Sequence, residues 1–298
     1  AATFSSTGSG ARWGGFILGN LPSSLIDLSQ SNVFEASPAL YAQGFGHFMA
    51  DGVNFARSSG ADSLVMIESN SNTNLTIKNS HFYDAGNGCI KAFPASSTLL
   101  LENVRFESCN GPAVWARQLK VEMNDVHIGP NISTGFELTA VSGNLSNVDA
   151  VQFDGEGNIV YLESIDGDFT VSNLNGTVGQ SAGISGMNNR YIQLDSIQLT
   201  GSPALDFDNS AGHLSEISLV GQGTGTGLIS HHGRALDSLV VDNFEAFSYS
   251  VAIDLHADGP TGNAAPLIVR NPDILSPVVL SAENYPARIE GGSMIGQI

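Results

Sequence analysis

The side chains best suited to chemistry lie late in the chain, on short β-like runs. Asp206 and Asp208 flank Phe207, so both carboxylates point outward if Phe207 lies in a core. Stacked repeats would add four further groups to the same surface: His231, His232, Asp254 and His256, with Arg234 nearby. Such a patch could bind a metal ion or act in general acid/base catalysis.

The same residues have a simpler interpretation, a solvated strand face, and we favour it. A one-residue slip in strand register would turn each of these side chains to the opposite face. The catalytic candidates that the sequence offers are therefore weak. They are Asp206, Asp208, His232, Asp254 and His256.

Two acidic loops could hold calcium through oxygen ligands. The candidate ligands are Asp154, Glu156, Asp166 and Asp168, from the runs Asp154-Gly-Glu-Gly-Asn158 and Asp166-Gly-Asp168. Neither loop has EF-hand spacing, and the nonapeptide calcium repeat is absent. We expect solvated turns there and no cofactor, with calcium as the alternative.

Aromatic residues could provide a surface for sugars. Four are candidates: Trp13, Trp115, Tyr161 and Tyr191. We expect most of them to pack in the core or against strands instead, because aromatic side chains bury large apolar areas.

The composition narrows the classes of partner. The 298 residues include 29 Asp and Glu against 11 Lys and Arg, a net charge of −18, which disfavours nucleic acid and anionic bilayers. The basic residues are scattered without a cluster, whereas a polyanionic substrate would need a locally basic groove. No apolar run of 18 residues occurs, so we expect no membrane insertion.

Two cysteines, Cys89 and Cys109, are the only ones in the chain. They could form one disulfide or be two small buried thiols, and we favour the thiols. No Cys/His spacing suggests a zinc site.

A column of turn-forming residues organises the whole chain. Its twelve positions are spaced 20 to 28 residues apart, and seven of them are Asn: Asn32, Gly52, Asn79, Asn103, Asp125, Asn147, Asn173, Ser196, Glu216, Asn243, Asn271 and Gly291. Asn and Gly tolerate a left-handed backbone, so one sharp bend per repeat is predicted. We call these twelve positions the asparagine column.

Short alternating runs surround each bend. Leu75–Phe82 and Leu99–Phe106 are the clearest examples, and a third short run follows each loop, as in Val65–Ile67 and Val251–Leu255. Three strands per repeat of about 24 residues, without helices, predict an all-β, right-handed, single-stranded parallel β-helix of about twelve coils. Asn side chains stacked from coil to coil would form a hydrogen-bonded ladder.

The chain resembles the right-handed parallel β-helix repeat proteins of the pectate-lyase-like superfamily, in particular its secreted and surface members. The resemblance rests on the asparagine column and on the opening run Thr3-Phe-Ser-Ser…Arg12-Trp13-Gly14-Gly15-Phe16-Ile17, and it covers nearly the whole chain. It implies the fold. It leaves function open, because the superfamily includes lyases, hydrolases, tailspikes, adhesins and other surface proteins.

Elements typical of the carbohydrate-active members are absent. The sequence has no Asp-Asp pair, no Gly-His-Gly and no Arg-Ile-Lys, and no basic residue accompanies a calcium-binding acidic cluster as in pectate lyases. Hydrolysis would need two carboxylates facing one groove, which stacked coils could still supply.

The sequence at both ends of the chain is typical of β-helix strands, and neither end has an amphipathic helix that would cover the open edge. We therefore expect either a segment of a longer surface protein or copies that associate end to end. The sequence favours one domain over residues 1–298: a non-catalytic, secreted or cell-surface module with a structural, adhesive or filament-forming role. The alternative is a polysaccharide lyase, a glycoside hydrolase or a glycan-binding module, with polysaccharide as the partner.

Overall fold

The computed structural model describes residues 2–4, 15–18, 24–36, 38–42, 45–58, 62–67, 72–93, 97–178, 181–232, 237–257, 265–283 and 285–297. Contacts divide the chain into two compact units, Ala1–Gly155 and Glu156–Ile298. The single domain over residues 1–298 stays a prediction. None of the described segments forms a helix long and apolar enough to cross a membrane.

The first unit contains sixteen described strands. They are β1 Thr3–Phe4, β2 Phe16–Leu18, β3 Ser24–Ser29, β4 Asn32–Phe34, β5 Leu40–Ala42, β6 Phe45–Asp51, β7 Asn54–Ser58, β8 Val65–Ile67, β9 Asn72–Lys78, β10 His81–Ala85, β11 Ile90–Ala92, β12 Thr98–Cys109, β13 Pro112–Arg117, β14 Lys120–Ile128, β15 Thr134–Thr139 and β16 Ser142–Ala150.

The second unit contains thirteen described strands. They are β17 Val160–Glu163, β18 Asp166–Thr177, β19 Ile184–Met187, β20 Tyr191–Thr200, β21 Leu205–Asp208, β22 Gly212–Val220, β23 Thr226–His232, β24 Leu239–Phe247, β25 Val251–Ala257, β26 Leu267–Arg270, β27 Asp273–Glu283, β28 Ala287–Glu290 and β29 Ser293–Gln297.

Each unit is a right-handed parallel β-solenoid with three strand positions per turn, as predicted. In the first unit β6, β7 and β8 pair in parallel with β9, β10 and β11 of the next turn. In the second unit β20 pairs with β22, and β21 pairs with β23. Several strands, such as β12 and β20, run through the bend and supply the first two positions of their turn. We call the three sheets the first, second and third sheet, in chain order within a turn.

The solenoid has about ten turns, slightly fewer than the twelve predicted. The prediction counted bends rather than complete turns. The bend at Gly291, for example, is followed only by β29 in the described residues.

The asparagine column is confirmed at eleven of its twelve positions, where the backbone φ lies between 48° and 71°. The first position is wrong: Gln30, with φ 43°, takes the left-handed conformation instead of Asn32. Asn32 instead begins β4, where its side-chain oxygen accepts a 2.8 Å hydrogen bond from Asn54 Nδ2. The register there is set by Val33, which is buried and stacks on Phe55 of the next turn.

Side chains of this column form the predicted ladder, in segments. In the first unit Asn103 Nδ2 donates to Asn79 Oδ1, and Asn79 Nδ2 donates to Asp51 Oδ1, each over 2.8 Å. In the second unit Asn243 Nδ2 donates to Glu216 Oε1 over 2.6 Å, and Asn271 Nδ2 donates to Asn243 Oδ1 over 3.3 Å. Carboxylates thus supply the acceptor at the end of both segments.

Two further rows of left-handed residues bend the chain at the other corners, and the sequence pattern misses them. Their φ angles lie between 51° and 62° in the first unit, at Glu35, Arg57, Asp84 and Ser108 in one row and at Gln118 and Ala140 in the other. These residues share no side-chain type. Their conformation is fixed by hydrogen bonds such as Gln118 N–H to the Thr139 carbonyl, 3.0 Å.

Stacked apolar side chains fill the interior of each unit. Phe55, Phe82 and Phe106 are fully buried in three consecutive turns, with ring centroids 4.7 and 5.2 Å apart. Burial of such a side chain contributes about 1.5–3 kcal/mol, so these stacks supply most of the stability. In the second unit the corresponding stack, also three residues after each bend, is aliphatic and includes Leu199, Leu219 and Ala246.

Cys89 and Cys109 form a disulfide, so the favoured interpretation as free thiols is wrong. Cys89 immediately precedes β11, and Cys109 ends β12 in the following turn, with Cα atoms 6.2 Å apart. Stacking of successive turns places the two buried residues within bonding distance, although 20 positions separate them in sequence.

Candidate functional site

The late acidic and histidine residues come together on the outer surface of the third sheet of the second unit. Asp208 pairs in register with His231, His231 pairs with His256, and His256 pairs with Glu283, on strands β21, β23, β25 and β27. We call these four residues the acid–histidine column. A second outward column beside it contains Asp206, Ile229 and Asp254.

Strand alternation aims these side chains outward. Phe207 is fully buried between Asp206 and Asp208, as predicted, and Ser230 and Leu255 are buried at the equivalent positions of the next turns. The apolar residues that face the core therefore decide which polar residues face solvent.

The two histidines of the column stack on each other. The ring centroids of His231 and His256 are 5.1 Å apart, and the ring planes are inclined by 16°. Asp254 Oδ2 lies 3.0 Å from His256 Nε2, and Glu283 Oε2 lies 3.8 Å from His256 Nδ1. Asp254 therefore orients the His256 ring, and the other ring nitrogen faces Glu283.

His232 is displaced from the predicted position by one residue. Its backbone pairs with Ala257, next to the column rather than in it, and His231 takes the place in the column. The side chain of His232 and all of Arg234 lie outside the described residues. The parallel register decided this, and a sequence pattern cannot resolve it, because two consecutive histidines fit it equally well.

Glu283 belongs to the column although the sequence analysis did not select it. It ends the long strand β27, which has a register irregularity between Leu275 and Val278. The alternation Ser281-x-Glu283 repeats Asp254-x-His256 and is the signal that could have revealed it.

Asp206 is the carboxyl group of this surface with a shifted pKa. Burial raises the pKa of Asp206 above its usual range, nearby His231 lowers it in part, and the negative charge of Asp208 raises it further. A carboxyl group that keeps its proton more readily can act as a general acid. Asp254 lies two turns away in the same column, about 10 Å by the spacing of parallel strands.

The calcium candidates fall in two segments: Asp154 and Glu156 between β16 and β17, and Asp166 and Asp168 at the start of β18. Asp154 is exposed, and its Oδ1 accepts a 2.6 Å hydrogen bond from the Asn131 backbone N–H. Asp166 Oδ1 lies 3.3 Å from Arg190 Nη1, and Glu156 is exposed. The side chain of Asp168 lies outside the described residues. Within the described segments no three His, Cys, Asp or Glu side chains are grouped to hold a metal ion, and calcium binding stays a prediction.

The aromatic candidates are more exposed than expected. Trp115 and Tyr191 are 38% and 40% exposed, so neither ring lies in the core. Tyr161 is half-buried, with its hydroxyl 4.0 Å from the Met187 sulfur. Trp13 lies outside the described residues.

Around Trp115 the third sheet of the first unit gathers two cations and a second ring. Lys91 pairs in register with Trp115, and its ammonium group lies 4.7 Å from the indole centroid and 5.0 Å from that of Phe93. Arg117 is exposed and lies two residues after Trp115 on β13, on the same face. We call Lys91, Phe93, Trp115 and Arg117 the cation–aromatic patch. The sequence shows no basic cluster here, because these cations are 26 positions apart and come onto one surface only through coil stacking.

The second sheet of the first unit carries histidine–carboxylate pairs that the sequence analysis missed. His127 Nδ1 lies 2.9 Å from Asp149 Oδ2, and His81 Nε2 lies 2.9 Å from Glu107 Oε2. Burial favours a higher pKa for Glu107, but hydrogen bonds and charge from Arg105 and His81 outweigh it and lower the pKa below its usual range.

The fold and its outward columns define the class of the protein, a parallel β-helix with polar side walls. Residues 18–175 match the family model described as "Right handed beta helix region". This match covers more than half of the chain, and the chain belongs to that family. No curated protein and no solved structure matches the chain.

Proposed function

We propose that the chain is a non-catalytic, extracellular or cell-surface β-helix module with a structural or adhesive role. One observation carries the proposal: outward polar side chains pair with partners in the neighbouring turn. Pairing of this kind stabilises a long side wall, whereas catalysis needs reactive groups left free for a substrate.

The pairs occur on both units. In the first, Lys78 forms an ion pair with Glu102 of the next turn, beside the Asn79–Asn103 hydrogen bond. In the second, His213 Nε2 lies 2.7 Å from Asp242 Oδ2. Arg270 continues that row, with its guanidinium 3.5 Å from Asp242 and 3.2 Å from Glu290. Cross-strand pairs contribute about 0.2–1 kcal/mol each, and together they stabilise the stacked turns.

The disulfide supports an extracellular location. Disulfides form and persist in oxidising compartments such as the cell exterior and are rare in the cytosol. The Cys89–Cys109 bond joins successive turns of the first unit. A net charge of −18 fits the same setting, since it keeps an exposed surface soluble.

A screen for polysaccharide cleavage tests the non-catalytic part of the proposal. The purified chain is incubated with neutral and acidic polysaccharides, and reducing ends and unsaturated products are measured. We expect no turnover above that of heat-denatured protein. Light scattering in the same buffers tests association of copies end to end, which belongs to the structural role.

A carbohydrate-active enzyme is the second candidate, and one observation favours it. Asp206 has a raised pKa, and Asp254 lies two turns further along the same column. An inverting glycosidase uses a protonated carboxyl and an ionised carboxylate about 6.5–9.5 Å apart, close to the spacing expected here. Turnover that is lost in both Asp206→Asn and Asp254→Asn, but kept in Asp273→Asn, would establish this candidate and exclude the first.

A further inference from the structure

We propose that the cation–aromatic patch of the first unit binds an anionic saccharide, a sugar that carries a carboxylate or a sulfate group. The inference rests on the adhesive role proposed above and names the site and the ligand chemistry for it.

The geometry of the patch suits a sugar. Phe93 and Trp115 meet edge to face, with centroids 4.8 Å apart and planes inclined by 87°. The Lys91 ammonium lies in the corner between the two rings, close to both. Contact with the rings leaves N–H donors of Lys91 for a ligand. The indole of Trp115, 38% exposed, offers an apolar surface for a sugar ring.

The cations of the patch lack carboxylate partners among the described residues, unlike most other basic side chains. Lys78 on β9 and Lys120 on β14, both in the first sheet, are ion-paired with Glu102 and Glu122. Lys91 and Arg117 form no ion pair with the described residues, although the chain has many more acidic than basic groups. An anionic ligand would supply the missing charge, and the Arg117 guanidinium can bind a carboxylate or sulfate through two parallel hydrogen bonds.

The acidic residue that follows Trp115 in its outward row, Glu137, is compatible with a bound anion. Glu137 pairs in register with Trp115 one turn on, and burial raises the pKa of Glu137 above its usual range. Its carboxyl group therefore repels an anion over a narrower pH range than a solvated Glu would. When protonated, it can donate a hydrogen bond to a sugar oxygen.

The first unit is also less acidic than the second, which favours anion binding there. Residues 1–155 contain seven Lys and Arg against thirteen Asp and Glu, whereas residues 156–298 contain four against sixteen. The equivalent outer surface of the second unit holds Asp206, Asp208, Asp254 and Glu283. Local attraction of an anion is therefore expected at Trp115 and repulsion at the acid–histidine column.

Calorimetric titration of the full chain tests the proposal with four probes: dextran, dextran sulfate, hyaluronan and heparin. We expect binding to at least one anionic probe, none to neutral dextran, and weaker binding as salt is raised. Dextran sulfate and hyaluronan separate sulfate from carboxylate as the recognised group. Absence of binding to all three anionic probes overturns the proposal.

Variants locate the site. Trp115→Ala and Arg117→Ala should each lower the affinity about tenfold, the loss expected for one stacking contact or charge-assisted hydrogen bond. Lys120→Ala, which removes an ion-paired cation, should bind as the native chain does. Circular dichroism establishes that each variant is folded.

Binding that survives in both patch variants places the ligand elsewhere and overturns the assignment of the site. The cleavage screen reads out separately from these titrations. If the chain binds at the patch and also cleaves a polysaccharide, the non-catalytic function is wrong but the assignment of the binding site still holds.

Discussion

His231 and His256 stack on each other on the third sheet of the second unit, with ring centroids 5.1 Å apart, although 25 positions separate them in sequence. Asp254 fixes the His256 ring from one side, and His231 covers it from the neighbouring turn. The pair shows how coil stacking assembles a local surface from residues that no sequence window contains.

Replacement of His256 by Ala should destabilise the fold more than replacement of His231. Asp254 Oδ2 bonds to His256, and Asp254 Oδ1 is buried without a hydrogen-bond partner, so the change leaves a largely buried carboxylate unsatisfied. The expected cost is about 1–3 kcal/mol. His231 is exposed and serves as the matched control in urea denaturation. Equal costs for the two variants would contradict this account of Asp254.

Ionisation of Asp206 should lower the free energy of unfolding as pH rises. Because burial raises the pKa of Asp206 above its value of 3.8 in the unfolded chain, the folded state holds the proton more tightly. This contribution is fully present below pH 3.8 and is lost as pH rises through the folded pKa. Asp206→Asn should therefore gain thermal stability relative to the native chain as pH rises from 3 to 7. A stability difference that does not change with pH would show that the carboxyl is not perturbed.

Loss of the disulfide should cost about 3 kcal/mol by the entropy of closing a loop of this length. The two cysteines are 20 positions apart and fully buried. Guanidinium denaturation of Cys89→Ala/Cys109→Ala should therefore show a lower midpoint than the native chain. Reductant should lower the native midpoint and leave that of the variant unchanged; a native midpoint that does not respond to reductant would show that the bond does not form.

Substitutions at Asn103 should separate the two roles of the asparagine column. Asn103→Ala loses the ladder hydrogen bond to Asn79 and places an alanine at φ 51°. The expected cost is about 2 kcal/mol, from the hydrogen bond and the left-handed backbone together. Asn103→Gly keeps the backbone without strain and should cost about half as much in chemical denaturation. If glycine costs as much as alanine, conformational preference contributes nothing at this bend.

Ala140 should behave in the opposite way. It has φ 51° without a side chain that favours this conformation, and it is exposed. Ala140→Gly should stabilise the first unit by a few tenths of a kcal/mol to about 1 kcal/mol, since relief of strain exceeds the added entropy of the unfolded chain. Calorimetry measures the shift in melting temperature, with Ala116→Gly on the neighbouring strand β13 as a control that should destabilise. A decrease for both variants would show that the bend at Ala140 carries no strain.

The sequence predicted the part of the fold that depends on residue type alone. Asn and Gly recur at one corner of each turn, and their tolerance of positive φ is a property of single residues, so eleven bends were located without a structure. The third-sheet strand Ile184–Met187 has a weaker sequence pattern than Val65–Ile67, because Ser185 and Gly186 interrupt its apolar alternation. The two other rows of bends escaped prediction, because hydrogen bonds between turns impose their conformation on unrelated residues.

The candidate surfaces depended on register, which only the tertiary structure decided. The sequence placed Asp206, Asp208, Asp254 and His256 on outward positions correctly, since alternation around buried Phe207 fixes the face. It selected His232 where the fold uses His231, because a slip of one residue changes no local pattern.

The sequence by itself determined that this chain coils, where most of its sharp bends fall and which side chains face the core. The tertiary structure decided which turns meet, and so it formed the Cys89–Cys109 bond and placed Lys91 against Trp115. The physical reason is that backbone preference and apolar alternation are local. The pairing of strands about 4.8 Å apart, in contrast, depends on the length of every loop between them.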